Sequence, residues 1–209
     1  MSSIVVSGDT SGAITISAPA VAGTNTITLP AQTATLATLT TPSFATTIGV
    51  GGTTASSSGA GITFPATQSA STNVNTLDDY EEGSWTPTIG GNATYSTQRG
   101  GYVKVGRVVF IQMQIVVSTK GTGSATTISG LPFSVSNPSG NADAYPAGAV
   151  TLLSNGNISV YSITCQPQAN TSTMEFNAIT GFGGATSNSV SIIGNGTHIQ
   201  CSAFYYTST

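Results

Sequence analysis

Apolar positions in the second half of this chain recur at every second residue, and helix signals are nearly absent. The clearest stretch is Val108-Val109-Phe110-Ile111-Gln112-Met113-Gln114-Ile115-Val116-Val117. There Ile111, Met113 and Ile115 share one face, and Gln112 and Gln114 share the other. Period two is the mark of a half-buried strand. Tyr102–Val105 reads as the strand before it, opened by Gly100-Gly101 and closed by Gly106-Arg107. Lys120-Gly121-Thr122-Gly123 is a turn, and Thr126-Thr127-Ile128 a short strand ending at Gly130-Leu131-Pro132-Phe133. Asn155-Gly156 stands between Ala149–Leu153 and Ile158–Thr164, and Asn195-Gly196 between Val190–Ile193 and His198–Tyr206. An Asn-Gly pair in such a position favours a type I′ hairpin, with positive φ at both residues. About eight strands are expected between residues 85 and 207, at the roughly 8–12-residue spacing of a sandwich or jelly roll.

The first 76 residues follow a different pattern. Ile14-Thr15-Ile16 before Ala18-Pro19 is echoed by Ile27-Thr28-Leu29 before Pro30-Ala31, and more loosely by Leu36-Ala37-Thr38-Leu39. Each unit offers one or two apolar side chains, too few to bury a core alone. Such repeats become stable by stacking or by winding round partner chains; otherwise they form an arm that orders against another protein. Residues 41–76 are dominated by Thr, Ser, Ala and Gly, the composition of a linker or stalk. The expected organisation is an attachment segment over 1–40, a stalk over 41–76 and a β-rich head over 77–209.

Composition narrows the function. Charged residues make up 5% of the 209, so Ser, Thr, Asn, Gln and Gly must face solvent. Few lysines remain to guard sheet edges, which favours burying those edges against copies of the same chain. The cations are Arg99, Lys104, Arg107 and Lys120 alone, at a net charge of −3. That excludes a phosphate-neutralising stripe and hence a nucleic-acid partner. No run approaches the ~20 apolar residues of a membrane helix, so no membrane insertion is expected. Met1-Ser2-Ser3-Ile4-Val5-Val6 lacks the basic start of a secretory signal. Cys165 and Cys201 read as buried thiols, with a cross-strand disulfide as the alternative.

Candidate chemistry is sparse. Asp78, Asp79, Glu81 and Glu82 cluster around Tyr80 just before Trp85, at the junction where the stalk would become the head. Clustered carboxylates suit Ca²⁺, but the EF-hand spacing is absent and a solvated strand entry explains them. Trp85, between Gly83 and Pro87, is expected to anchor this collar onto the head. His198 lies on an alternating strand with no triad pattern around it. Asp143 and Glu175 are the only acids beyond the collar, and glycoside cleavage needs two that face each other. No cofactor is implied. The polar loops 136–146, with Asp143 and Tyr145, and 180–188, with Phe182, are the places where receptor-binding residues are expected.

Three stretches carry a family likeness. Leu77-Asp78-Asp79-Tyr80-Glu81-Glu82-Gly83-Ser84-Trp85-Thr86-Pro87, Gly101-Tyr102-Val103-Lys104-Val105-Gly106 and Gly130-Leu131-Pro132-Phe133 resemble the C-terminal part of bacteriophage tail-fibre and related virion proteins. The usual pattern has Thr where Ser84 stands. Residues 18–31 are similar to a segment common in the same proteins. The resemblance implies a non-enzymatic homotrimer, assembled in the host cytoplasm and built into the virion. Its N-terminus would join tail or capsid proteins, and its head would meet a host-surface glycan. A capsid head fibre, a decoration protein and a free carbohydrate-binding β-sandwich are the alternatives.

Overall fold

A computed structural model of the protein describes residues 3–7, 13–17, 24, 47–68, 71–73, 75–137 and 147–207. The chain divides into two compact units, Met1–Ser43 and Phe44–Thr209. In the first, β1 (Ser3–Ser7) pairs antiparallel with β2 (Ala13–Ser17), with Ser3 opposite Ser17. The later echoes of the β2 pattern, at 27–29 and 36–39, lie outside the described residues.

In the second unit, β3 (Thr47–Gly49) pairs in parallel with β4 (Gly61–Thr63) within the stretch read as stalk. The remainder is all-β. Eight strands form one antiparallel sheet: β5 (Tyr80–Trp85), β6 (Thr94–Val105), β7 (Val108–Thr119), β8 (Thr127–Ser129), β9 (Ala147–Ser154), β10 (Ser162–Pro167), β11 (Thr173–Ile179) and β12 (His198–Tyr206). Their order across the sheet is β5-β6-β7-β12-β9-β10-β11-β8. The first and last strands approach each other. Thr88, just past β5, exchanges backbone hydrogen bonds of 3.0 and 2.7 Å with Ser129 of β8. The head is therefore layered by a single sheet that curls until its two edges touch.

Alternation decides which face turns inward. On β7, Val109, Ile111, Met113, Ile115 and Val117 are buried; on β12, Ile199, Cys201, Ala203 and Tyr205; on β11, Met174, Phe176 and Ala178. Ile89, Ile128, Leu131, Val190, Ile192 and Ile193 close the same core. Each large apolar side chain fully buried there contributes about 1.5–3 kcal/mol. Cys165 and Cys201 are free thiols inside this core. Gly148, opposite Cys165 on β9, leaves room for the sulfur, since a Cβ there would stand 2.4 Å from Cys165 Sγ. The Cys201 thiol's hydrogen bond to Cys165, together with burial, pushes Cys201 well above the usual thiol range.

The Asn-Gly expectation needs correction. Asn155 (φ 53°) and Gly196 (φ 78°) take the left-handed conformation, but their partners Gly156 and Asn195 do not. Neither pair forms a two-residue hairpin. Thr197 explains part of this: its hydroxyl donates to Asn155 O (2.9 Å) and accepts from Gly194 N (2.9 Å). Asn195 Oδ1 accepts from Lys120 N at 2.7 Å. The two turns are thus fastened to each other and to the β7 end instead of reversing local strands. Val190–Ile193, expected as a strand, is an irregular segment that buries Val190, Ile192 and Ile193.

Candidate functional site

The acidic cluster supports the head fold. Asp79 and Lys104, 5% and 2% exposed, form a buried ion pair between the approach to β5 and β6. Lys104 Nζ also lies 5.4 Å from the centre of the Phe133 ring. Tyr102 packs edge-on against Phe133, with centroids 5.4 Å apart and planes at 86°. The Tyr102 hydroxyl donates to Glu81, and that bond, helped by burial, raises the phenol to about 12. Tyr80 donates to Glu82 at 3.0 Å. Asp78 accepts from Ser71 N at 2.6 Å, which holds its carboxyl below the usual range. Trp85 is buried and its indole N–H donates to Gly101 O at 3.2 Å. Gly100 lies beneath that ring, where a Cβ would come within 2.4 Å of Nε1. Each of the four acids therefore has its own protein partner. Among the described residues, no group of three or more acids, histidines or cysteines is arranged to hold a metal ion.

A second arrangement lies on the outer face of the same sheet. Register sets side chains there in parallel rows that cross the strands. One row is Tyr80, Val105, Val108 and Tyr206; the next is Glu82, Val103, Phe110 and Phe204. Then come Gly101, Gln112, Ser202 and Ala149, and after them Arg99, Gln114 and Gln200. Phe110 is 54% exposed, and its ring centre stands 6.4 Å from that of Phe204. Beyond the small-residue row, Arg99 donates through Nε (2.9 Å) and Nη2 to Gln114 Oε1. Gln114 Nε2 donates to His198 Nε2 at 2.8 Å, and Gln200 Nε2 stands 3.5 Å from the same nitrogen.

The row in which Gln112 is the one long side chain becomes a trough. Its larger part has a volume of about 910 Å³, with Gly101, Ala149 and Ser202 along the floor and Val103, Phe110 and Phe204 on one side. A shallower depression of about 550 Å³ shares Gly101, Gln112 and Ser202 and extends to Arg99, Gln114 and Gln200. Phe110 and Phe204 were readable as anomalies, because each places an aromatic ring at an outward position of an alternating strand. Gly101 could be assigned to the same row only once the β6–β7 register was known.

Of the sequence-predicted loop residues, Phe182 does not line this trough. Phe182 is 95% exposed, next to Gly183 with φ 71°, in the segment that follows β11. Tyr161 is also largely exposed and reaches the same end of the sheet, since its N–H donates to Ile179 O at 2.7 Å. Asp143 and Tyr145 lie outside the described residues. Glu175 accepts a hydrogen bond from Ser189.

No protein-family model matches the chain, and no curated protein does. Among solved structures, that of the Dettilon tailspike protein is similar, with a TM-score of 0.45 and 16% identity. The alignment covers 60% of this chain and 23% of the tailspike, so the chain spans less than a quarter of that protein.

Proposed function

We propose that the protein is a non-enzymatic bacteriophage virion structural protein. It is a homotrimeric fibre, held to the particle by its N-terminal segment, whose β-rich head attaches to the host surface. The observation that carries this reading is the convergence of the three stretches that resemble tail-fibre proteins. Residues 77–87, 101–106 and 130–133 are far apart in sequence, yet they supply Asp79, Lys104 and Phe133 to one buried contact set. Trp85 on Gly100–Gly101 and Tyr102 on Phe133 belong to the same set. Such a set is needed together or not at all, a physical reason for the stretches to travel as a unit. The absence of catalysis is supported by the engagement of the cluster acids in structural contacts, which leaves them poorly placed as an acid–base pair.

Purified particles of the phage that encodes the chain test this reading. Mass spectrometry should find the protein in the virion, and gold-labelled antibody to the head should mark fibre tips. A protein absent from washed particles would refute it.

A further inference from the structure

We propose that the outer trough of the head sheet is a binding site for a neutral glycan. This deepens the attachment reading by giving it a place and a ligand class.

The two sides of the trough differ in kind. Phe110 and Phe204, with Val103, form an apolar side with exposed ring surface. Arg99, Gln114 and Gln200 form a hydrogen-bonding side, and Gln112 adds an amide over the floor. The two sides are four residues apart along a strand, about 13 Å from backbone to backbone. The floor crosses β6, β7, β12 and β9, a run of roughly 15 Å at the usual strand spacing. A pyranose chain has the same division as the trough. Its C–H faces stack on aromatic rings, and its hydroxyls bond to amides.

Charge narrows the class. Arg99 already gives two donors to Gln114, and Glu82, at the apolar side, already accepts from Tyr80. Those partners are neutral, so both charges persist, but they are one of each sign on opposite sides of the trough; its lining carries no net charge, and an uncharged sugar chain fits best. A second copy of this chain is a poorer occupant. Protein interfaces pack as densely as interiors, and a flat sheet face laid over this one would leave the 910 Å³ trough unfilled. The face is therefore assigned to ligand, and assembly to other surfaces.

The test uses the full-length protein on an array of neutral and acidic bacterial-surface oligosaccharides, with saturation-transfer NMR for any glycan retained. Wild type should retain neutral chains. Phe110→Ala should weaken binding about tenfold or more, as expected for loss of an aromatic anchor. Gly101→Val should abolish binding while leaving the fold intact. A Cβ at Gly101 meets nothing closer than 3.6 Å, and valine suits a strand. Thermal unfolding and solution mass of this variant should match wild type or show a gain in stability. Three results would overturn the proposal: no neutral glycan retained by wild type, binding that survives both substitutions, or a changed solution mass in Gly101→Val. The last would identify the face as a contact between copies. The virion reading is judged separately, by presence in particles, whichever way the array turns out.

Discussion

Replacing Asp79 by Asn should destabilise the head more than any other loss of a single charge among the described residues. The pair it forms with Lys104 is almost wholly removed from water, with side chains 7% and 2% exposed. Without the carboxylate, the ammonium stays buried with a neutral amide oxygen, the more distant Asp78 and the Phe133 ring, 5.4 Å away, as compensation. A cation–π contact is worth up to about 2 kcal/mol when desolvated. Breaking a buried pair from one side costs about 3–5 kcal/mol. For a domain of this size each kcal/mol moves Tm by about 2–4 °C, so a fall of roughly 6–20 °C is expected. Trp85, the only tryptophan, is buried beside this cluster and reports unfolding by fluorescence. Urea midpoints, measured at one fixed protein concentration, should fall with little change in slope. Asp79→Leu with Lys104→Met removes both charges from an apolar site. That double variant should be neutral or up to about 4 kcal/mol more stable than wild type. An Asp79→Asn cost below about 1 kcal/mol would refute the reasoning, because that is the value of a solvated surface pair.

Other outcomes follow from the same contacts. Gly100→Ala should cost about 1–3 kcal/mol by driving Trp85 off its seat, since the new Cβ would fall 2.4 Å from Nε1; tryptophan emission should shift to the red. Phe176→Ala should cost about 3–5 kcal/mol by opening a cavity in the core, read from the same urea curves. Alkaline stability should depend on Tyr102, whose folded value of about 12 lies above the ordinary 10. Its contribution is intact below pH 10. It is lost as pH rises toward 12, because the unfolded chain releases the proton first. Tyr102→Phe should flatten that part of the stability profile.

Strand content was legible in the sequence where alternation was strict. Ile111, Met113 and Ile115 faced the core as their period required. Alternation could not tell one curled sheet from two facing ones, because both bury every second residue. The choice rests on the Thr88–Ser129 contact between the edges, which no local pattern encodes. The Asn-Gly turns were misjudged because Thr197 and Lys120 bind those segments from elsewhere in the fold. The acidic cluster read as a solvated strand entry, since the partner of Asp79 is 25 residues away and appears only with the β5–β6 register. The trough was hidden for a similar reason. Its floor is made of Gly101, Ala149 and Ser202, three small residues from separate strands that have no meaning singly.

A fibre of this kind must assemble from three chains. Light scattering of the full-length protein, over a range of concentrations, should give three times 20.9 kDa. A monomer at every concentration would contradict the fibre reading.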